Sequence, residues 1–177
     1  MNGEVTVATA AEMHALGRRL AALLRAGDLV ILSGPLGAGK TTLTQGIGAG
    51  LGVRGPVTSP TFVIARVHPS LDRARGLAAS GPALVHADAY RLGSVLEMDD
   101  LDLDTDTATS VTVVEWGEGL AEGLAADRLE IAIMPAAGPG GDDTALEGDA
   151  PRTVMIAGVG QRWRGIELPP ADLADRL

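Results

Sequence analysis

The most informative segment of this chain is residues 29–42, Leu-Val-Ile-Leu-Ser-Gly-Pro-Leu-Gly-Ala-Gly-Lys-Thr-Thr. The part from Gly34 to Thr41 fits the phosphate-binding loop pattern G-x-x-x-x-G-K-[ST] at every fixed position. Lys40 is the sole lysine, since the other basic residues are all arginines. The lysine ammonium is a compact point charge that can reach β- and γ-phosphates, whereas the arginine guanidinium is planar. The use of lysine at this one position therefore fits phosphate binding. This pattern predicts nucleotide binding.

The flanking residues supply the context that such a loop needs. Leu29–Leu32 is a short apolar run that predicts a buried strand, and Thr41–Gln45 can open a helix. The glycines let successive N–H groups turn toward phosphate oxygens, and the first helical turn adds free N–H groups and its dipole. The alternative is a plain glycine-rich turn before a helix, and the agreement of pattern and context argues against it. We expect the nucleotide to contact Gly34, Leu36, Gly37, Ala38, Gly39, Lys40, Thr41 and Thr42, with the Thr41 hydroxyl on Mg²⁺.

Length and composition indicate one globular domain spanning residues 1–177. The chain has 177 residues, 46% of them hydrophobic, and a formal net charge of −9. It contains no apolar run of eighteen residues and no secretory layout at the N-terminus, so a cytoplasmic location without membrane contact is the default expectation. The absence of cysteine excludes disulfides, thiolate metal sites and a cysteine nucleophile.

The acidic balance bears on nucleic-acid binding. Polyanions are held chiefly by Lys and Arg, so a net charge of −9 argues against a broad nucleic-acid surface. Any role near RNA is then expected to run through a partner. The local pairs Arg73 with Arg75 and Arg162 with Arg164 are interpreted as solvated surface arginines.

Apolar patterns predict strands that alternate with helices, as in a three-layer α/β fold with a mostly parallel sheet. An edge strand is expected at Glu4–Ala8 and a second core strand at Thr61–Val67. The last two strands should form an antiparallel hairpin. Further strands are expected at Ala83–Ala87, Val111–Val114, Leu129–Met134 and Thr153–Ala157.

Two longer helices, a short helical piece after Glu115 and three peripheral segments complete the predicted organisation. The capping-box spacing of Thr9–Glu12 opens a helix that Gly27 is expected to end. The helix after the phosphate loop is expected to fade through its glycines, Gly46, Gly48 and Gly50. An exposed insertion at about 69–82, an acidic loop at about 138–151 and a variable tail after 160 match no motif.

Two carboxylates follow apolar strands and are candidates for a magnesium site. Asp88 follows Ala83–Ala87, and Glu115 follows Val111–Val114. Carboxyl ends of parallel strands converge on the ligand crevice, so both side chains can reach the metal region. For either one alone, a solvated carboxylate at a strand end would be an equally good interpretation.

Four motifs in order resemble the TsaE (formerly YjeE) family, small bacterial ATPases of tRNA threonylcarbamoyladenosine biosynthesis. The resemblance covers about residues 9 to 134, and the order of the motifs is more specific than the phosphate loop alone. The motifs are Pro35–Thr42, Ser59–Phe62, His86-x-Asp88-x-Tyr90-Arg91-Leu92 and Val114–Trp116.

The resemblance implies ATP and Mg²⁺ as cofactors, with Lys40 and Thr41 on phosphates and metal and Glu115 as a metal ligand. It implies that Thr61 is a switch-like residue near the γ-phosphate and that Asp88 and Trp116 are needed for turnover. It also implies two partner proteins, TsaB and TsaD, through which tRNA is reached indirectly. On this hypothesis Asp88 and Thr61 orient the attacking water, and turnover is slow without partners.

Other functions and structural roles stay open at this point. A nucleotide-dependent regulatory switch of the GTPase class would need the N-K-x-D lysine, which this chain lacks elsewhere. A small-molecule kinase could use Arg73 and Arg75 as a lid. Trp116 and Tyr90 could be core aromatics, and His86 a hydrogen-bonded core histidine. The acidic stretch 97–106 lacks the glycine and glutamate of a calcium loop and is interpreted as solvated or partner-docking.

Overall fold

The computed structural model of the chain describes residues 1–60, 65–71, 81–90, 109–135 and 151–170. Their strands are β1 Asn2–Val7, β2 Leu29–Ser33, β3 Ala65–His68, β4 Ala83–Asp88, β5 Ser110–Glu115, β6 Arg128–Pro135 and β7 Arg152–Val159. Their α-helices are α1 Ala10–Ala21 and α2 Lys40–Leu51, and two short 3-10 helices lie at Glu122–Leu124 and Gln161–Trp163.

The strands form one mixed sheet. Within the described residues it has seven strands in the order β1-β7-β6-β2-β5-β4-β3. The central strands β6, β2, β5 and β4 are mutually parallel, whereas β1, β7 and β3 join by antiparallel pairing. The predicted α/β class and the antiparallel β6–β7 hairpin are confirmed. The parallel part is confined to the centre, which carries the phosphate loop at the end of β2.

The two ends of the sheet differ from the centre in exposure. β1 is an edge strand, as predicted. The prediction of a core strand over 61–67 is wrong for its described part, because among the described strands β3 lies at the edge of the sheet and pairs only with β4. Val67 is 53% exposed there. An apolar run indicates extended backbone, but it does not show whether a strand has one neighbour or two.

Helices α1 and α2 pack together on one face of the sheet through glycines. A Cβ at Gly46 would collide with the His14 carbonyl oxygen, and one at Gly50 would lie 2.5 Å from the Ala21 Cβ. The prediction that α2 fades at its glycines is therefore wrong: the helix continues to Leu51, because those glycines let two helix backbones approach closely.

The two helices end with different capping conformations. α2 is capped by Gly52 in the left-handed conformation, with φ of 67°. α1 ends at Ala21 with a right-handed C-cap, so the prediction that Gly27 ends this helix is also wrong. Its predicted start is confirmed, since the Thr9 hydroxyl accepts from the Glu12 N–H at 3.1 Å.

Hydrophobic residues are buried on both faces of the sheet. The larger cluster lies between the sheet and the helices and includes Leu20, Leu43 and Ile131. On the other face Ile31 and Val85 pack with Ala121, next to the 3-10 helix at Glu122–Leu124. The layer that covers this face within the described residues is thus an irregular segment rather than an α-helix.

The start of the C-terminal tail is part of the core. The Trp163 side chain is fully buried, and the Arg162 guanidinium pairs with the buried Asp28 carboxylate at 3.0 Å. The interpretation of Arg162 as a solvated arginine is therefore wrong, whereas Arg164 is exposed as expected. The partner of Arg162 lies 134 residues away in sequence, beyond any local pattern.

None of the helices in the described residues has the length and apolar character to cross a membrane.

Candidate functional site

The phosphate loop has the backbone geometry that its glycines permit. Gly34, Gly37 and Gly39 have φ of 136°, 76° and 107°, in the region that favours glycine. A Cβ at Gly34 would also collide with the carbonyl oxygen of Ile133 on β6. The loop is thus wedged against the neighbouring parallel strand, and α2 begins directly after it at Lys40.

Lys40 lies at the centre of the site. Its Nζ donates to the carbonyl oxygens of Gly34 at 2.8 Å and Pro35 at 2.9 Å, which leaves one of three N–H donors for another acceptor. Burial lowers the Lys40 pKa, and the nearby Glu115 and Asp88 carboxylates act in the opposite direction. The ammonium is therefore held at the loop by two carbonyl oxygens, and the carboxylates offset part of the cost of burying its charge.

Glu115 and Thr41 are in direct contact. The Thr41 hydroxyl lies 3.0 Å from Oε1 and 3.2 Å from Oε2 of Glu115, whose residue is 3% exposed. Asp88 is the cross-strand neighbour of Glu115 at the carboxyl ends of β4 and β5, and its Oδ1 accepts from the Tyr90 N–H at 3.0 Å. The predicted convergence of both carboxylates on the phosphate loop is confirmed.

These side chains surround an open cavity of about 230 Å³. The candidate metal ligands in this cavity are the oxygens of the Thr41 hydroxyl and of the Asp88 and Glu115 carboxylates. Mg²⁺ prefers oxygen ligands of this kind. Two carboxylates against one ammonium leave a formal negative charge that favours a cation. The cavity is lined by Leu36, Gly37, Gly39, Lys40, Thr41, Thr42, Ser59, Asp88, Glu115 and Trp116.

The described residues contain no cluster of three or more His, Asp or Glu side chains that would hold a metal alone. Magnesium at nucleotide sites is bound by one or two protein groups together with phosphate oxygens and water, so it does not need such a cluster. The residues present therefore fit Mg²⁺ accompanied by a nucleotide.

Trp116 closes one side of the cavity. Its ring centroid lies 3.7 Å from the Lys40 ammonium and 5.2 Å from the Tyr90 ring, an arrangement that supports a cation–π contact. Trp116 has φ of 60°, rare for a residue with a side chain, and such conformations cluster at functional sites. Tyr90 is 65% exposed, so the core interpretation is wrong for it.

A second cavity of about 90 Å³ adjoins the Thr42 end of the loop. It shares Gly37, Gly39 and Thr42 with the first cavity, and its other lining residues come from the start of α1 and from Arg152 on β7. Sequence reasoning missed this cavity because α1 and β7 reach the loop only through the tertiary fold. The capping position of Thr9 was visible in sequence, but capping alone did not indicate a ligand.

A larger cavity of about 260 Å³ lies on the sheet face opposite α1 and α2, around Ile31, Glu130 and Met155. It contains neither the phosphate loop nor Lys40, so it is not the candidate site despite its volume.

Two buried histidines stand behind the site. His86 is fully buried, with Nε2 2.8 Å from Glu115 Oε1, so the interpretation as a hydrogen-bonded core histidine is confirmed. His68 on β3 is 8% exposed. Burial lowers its pKa, and the neighbouring His86 and Arg66 lower it further.

Several predicted features lie outside the described residues. These are Thr61, most of the insertion at 69–82 with the Arg73 and Arg75 pair, the acidic stretch 97–106, most of the loop at 138–151 and the tail after residue 170. The switch-like role of Thr61 and the kinase-lid interpretation therefore stay predictions.

Comparison with known proteins gives consistent matches. A family model described as "Threonylcarbamoyl adenosine biosynthesis protein TsaE" matches residues 7–139. A Streptomyces coelicolor protein named tRNA threonylcarbamoyladenosine biosynthesis protein TsaE is 62% identical over 85% of this chain and 93% of its own. A Mycobacterium leprae protein of the same name is 52% identical over 75% and 82%. The crystal structure of Bacillus subtilis YdiB superposes with a TM-score of 0.65 and 29% identity, covering 99% of this chain and 97% of that one.

Proposed function

Because this chain belongs to the TsaE family, which acts in tRNA threonylcarbamoyladenosine biosynthesis, we propose that it is the Mg²⁺-dependent ATPase subunit of that modification. The modified base is the tRNA adenosine next to the anticodon. The single observation that carries the proposal is the contact of Thr41 with Glu115 beside Lys40, at the mouth of the phosphate loop.

The loop and α2 supply the phosphate-binding groups. Backbone N–H groups of the glycine-rich loop and of the first turn of α2 attract anions, and Lys40 adds a point charge with an N–H donor to spare. The side of the loop near Thr42 continues into the second cavity, lined in part by Met13 and Arg152. We assign the nucleoside part of ATP to that cavity, because it adjoins the loop at Thr42 and offers an apolar side chain in Met13 and a cation in Arg152.

The Thr41 hydroxyl and the Glu115 carboxylate would hold Mg²⁺. When bound, the metal neutralises charge that develops on the phosphate oxygens during transfer. Asp88 lies beside Glu115 and, like Glu115, acts electrostatically on Lys40. Its proposed role, shared with Thr61, is to orient the attacking water, while Trp116 keeps Lys40 in place through its ring.

Slow turnover in isolation is part of the proposal. Among the described residues that line the cavity there is no arginine to stabilise the transition state in the manner of an arginine finger. We infer that the counterparts of TsaB and TsaD stimulate hydrolysis in the cytoplasm and bring tRNA to the complex. The net charge of −9 supports an indirect contact with tRNA.

The test is ATP hydrolysis by the chain alone and with its TsaB and TsaD counterparts, with and without tRNA. We expect slow hydrolysis alone, stimulation by the partners, and loss of both in Lys40→Ala without loss of the folded state. Unchanged hydrolysis in Lys40→Ala would refute the assignment of the phosphate loop. Transfer of phosphate to a small acceptor, with no stimulation by the partners, would favour a kinase instead.

A further inference from the structure

His86 contacts Glu115, which lines the first cavity at the phosphate loop. It lies on β4, two residues before Asp88, and its ring is fully buried. Nε2 lies 2.8 Å from Glu115 Oε1, so the two side chains are joined by a short hydrogen bond in the protein interior. His86 does not line the cavity, whereas Glu115 does. The contact by which His86 can act on this cavity is its hydrogen bond to the Glu115 carboxylate.

The tautomer of His86 follows from its partner. A carboxylate only accepts, so Nε2 must carry the proton and donate. The other ring nitrogen, Nδ1, is buried and has no hydrogen-bond partner among the described residues. Burying an unpaired polar atom is unfavourable, and an apolar side chain of similar size would avoid it. Packing alone therefore does not explain why residue 86 is a histidine rather than an apolar residue. The hydrogen bond to Glu115 does explain it.

That bond makes the two oxygens of Glu115 unequal. Oε1 accepts from His86 at 2.8 Å and from the Thr41 hydroxyl at 3.0 Å, whereas Oε2 has only the longer Thr41 contact at 3.2 Å. One oxygen is thus anchored to the sheet interior, and the other keeps free lone pairs. Hydrogen bonds of this kind to a ligating carboxylate orient it and commonly change metal affinity by about 10- to 100-fold when removed.

We propose that His86 is a positioning residue that anchors Oε1 of Glu115 and so presents the carboxylate to Mg²⁺. The proposal rests on the proposed function, since it needs Glu115 to be a metal ligand. It goes beyond that function because it assigns the orientation of the Glu115 carboxylate to a residue that lies outside the phosphate loop and does not line the cavity.

The test compares two amides that differ in reach. His86→Gln places its Nε2 where the imidazole Nε2 was, whereas His86→Asn has the same polarity but stops one carbon short of Glu115. Fluorescent ADP binding is measured against Mg²⁺ concentration and separately in EDTA, with thermal unfolding as the check on folding. We expect Asn to raise the half-saturating Mg²⁺ concentration about 10- to 100-fold, Gln to stay within about threefold of the parent, and neither to change affinity in EDTA.

Equal Mg²⁺ half-saturation in the Asn variant and the parent would overturn the proposal. So would parallel losses in Gln and Asn, or a loss that is as large in EDTA, because these indicate a purely structural role. If the parent protein itself shows no Mg²⁺-dependent ADP binding, the proposed function fails first, and the role of His86 fails with it. A third comparison uses the Glu115→Ala background, in which His86→Asn should have no further effect on Mg²⁺ dependence.

Discussion

Replacing Arg162 with Met tests how the C-terminal segment holds the fold. The Arg162 guanidinium donates to Oδ1 and Oδ2 of Asp28 at 3.2 and 3.0 Å and to the Leu23 carbonyl oxygen at 2.7 Å. The two side chains are only 11% and 6% exposed. Both charges are therefore largely shielded from water, and each is compensated by the opposite charge of its partner.

The expected magnitude follows from what the Met variant leaves behind. Met keeps an apolar stem but no donor, so Asp28 retains the Arg25 N–H at 2.9 Å and loses the guanidinium. Breaking a buried ion pair from one side costs about 3–5 kcal/mol. The retained Arg25 bond places the loss at the lower end, at about 3 kcal/mol, or roughly 6 to 12 °C in Tm for a chain of this size.

Urea denaturation of Arg162→Met and of the double variant with Asp28→Asn is the assay. The double variant should recover most of the loss, because it removes the uncompensated charge. ATP hydrolysis per folded molecule should not change, since Asp28 and Gly34 are separated by about 20 Å of extended chain. A loss below about 1 kcal/mol in the single variant, or no recovery in the double variant, would show that the Arg162–Asp28 pair does not stabilise the fold in this way.

Four further outcomes follow from the site and the packing. Glu115→Ala should raise the half-saturating Mg²⁺ concentration for ATP hydrolysis at least about tenfold, and a normal Mg²⁺ titration would remove Glu115 from the metal site. Arg152→Met, in the wall of the second cavity, should weaken ATP binding about tenfold in calorimetry but leave tripolyphosphate binding unchanged; equal losses would place the nucleoside elsewhere. Gly46→Ala should lower the free energy of unfolding by about 1–3 kcal/mol because its Cβ meets helix backbone, while the matched Gly123→Ala, with nothing within 4 Å, should change it by less than about 0.5 kcal/mol. The pKa of His68 is lower in the folded chain than in the unfolded chain, where it is about 6.5. As the pH falls, the unfolded chain therefore binds a proton at a higher pH than the folded chain does. Its stabilising contribution is therefore complete above about pH 6.5 and is lost as the pH falls toward the folded-state pKa. His68→Leu should flatten this decline in urea midpoints measured down to about pH 5, and an unchanged slope would contradict the prediction.

Sequence reasoning succeeded where the physical cause is local. The loop from Gly34 to Thr41 needs glycines for its backbone and one lysine for phosphates, and both are visible in a window of eight residues. The strands ending at Asp88 and Glu115 are mostly apolar and are buried on both faces, as is typical of central parallel strands. Their convergence followed from a general property of parallel sheets, so the carboxylates could be placed without coordinates.

It failed where one sequence pattern has two meanings. Glycines such as Gly46 and Gly50 are typical of a fading helix, but here they allow α1 and α2 to touch. An arginine such as Arg162 is typical of a solvated surface, but here it pairs with the buried Asp28. The apolar run ending at Val67 indicated a strand without showing that it would lie at the edge. In each case the deciding neighbour is distant in the chain.

The phosphate loop, the α/β class and the positions of the two carboxylates could be predicted from the sequence, because backbone conformation and strand periodicity depend on adjacent residues. The hydrogen-bonded group of Thr41, His86 and Glu115, and the second cavity beside Thr42, are visible only in the folded chain. Those contacts join residues that are tens of positions apart in the chain. Their geometry depends on strand order and register, which no local pattern specifies.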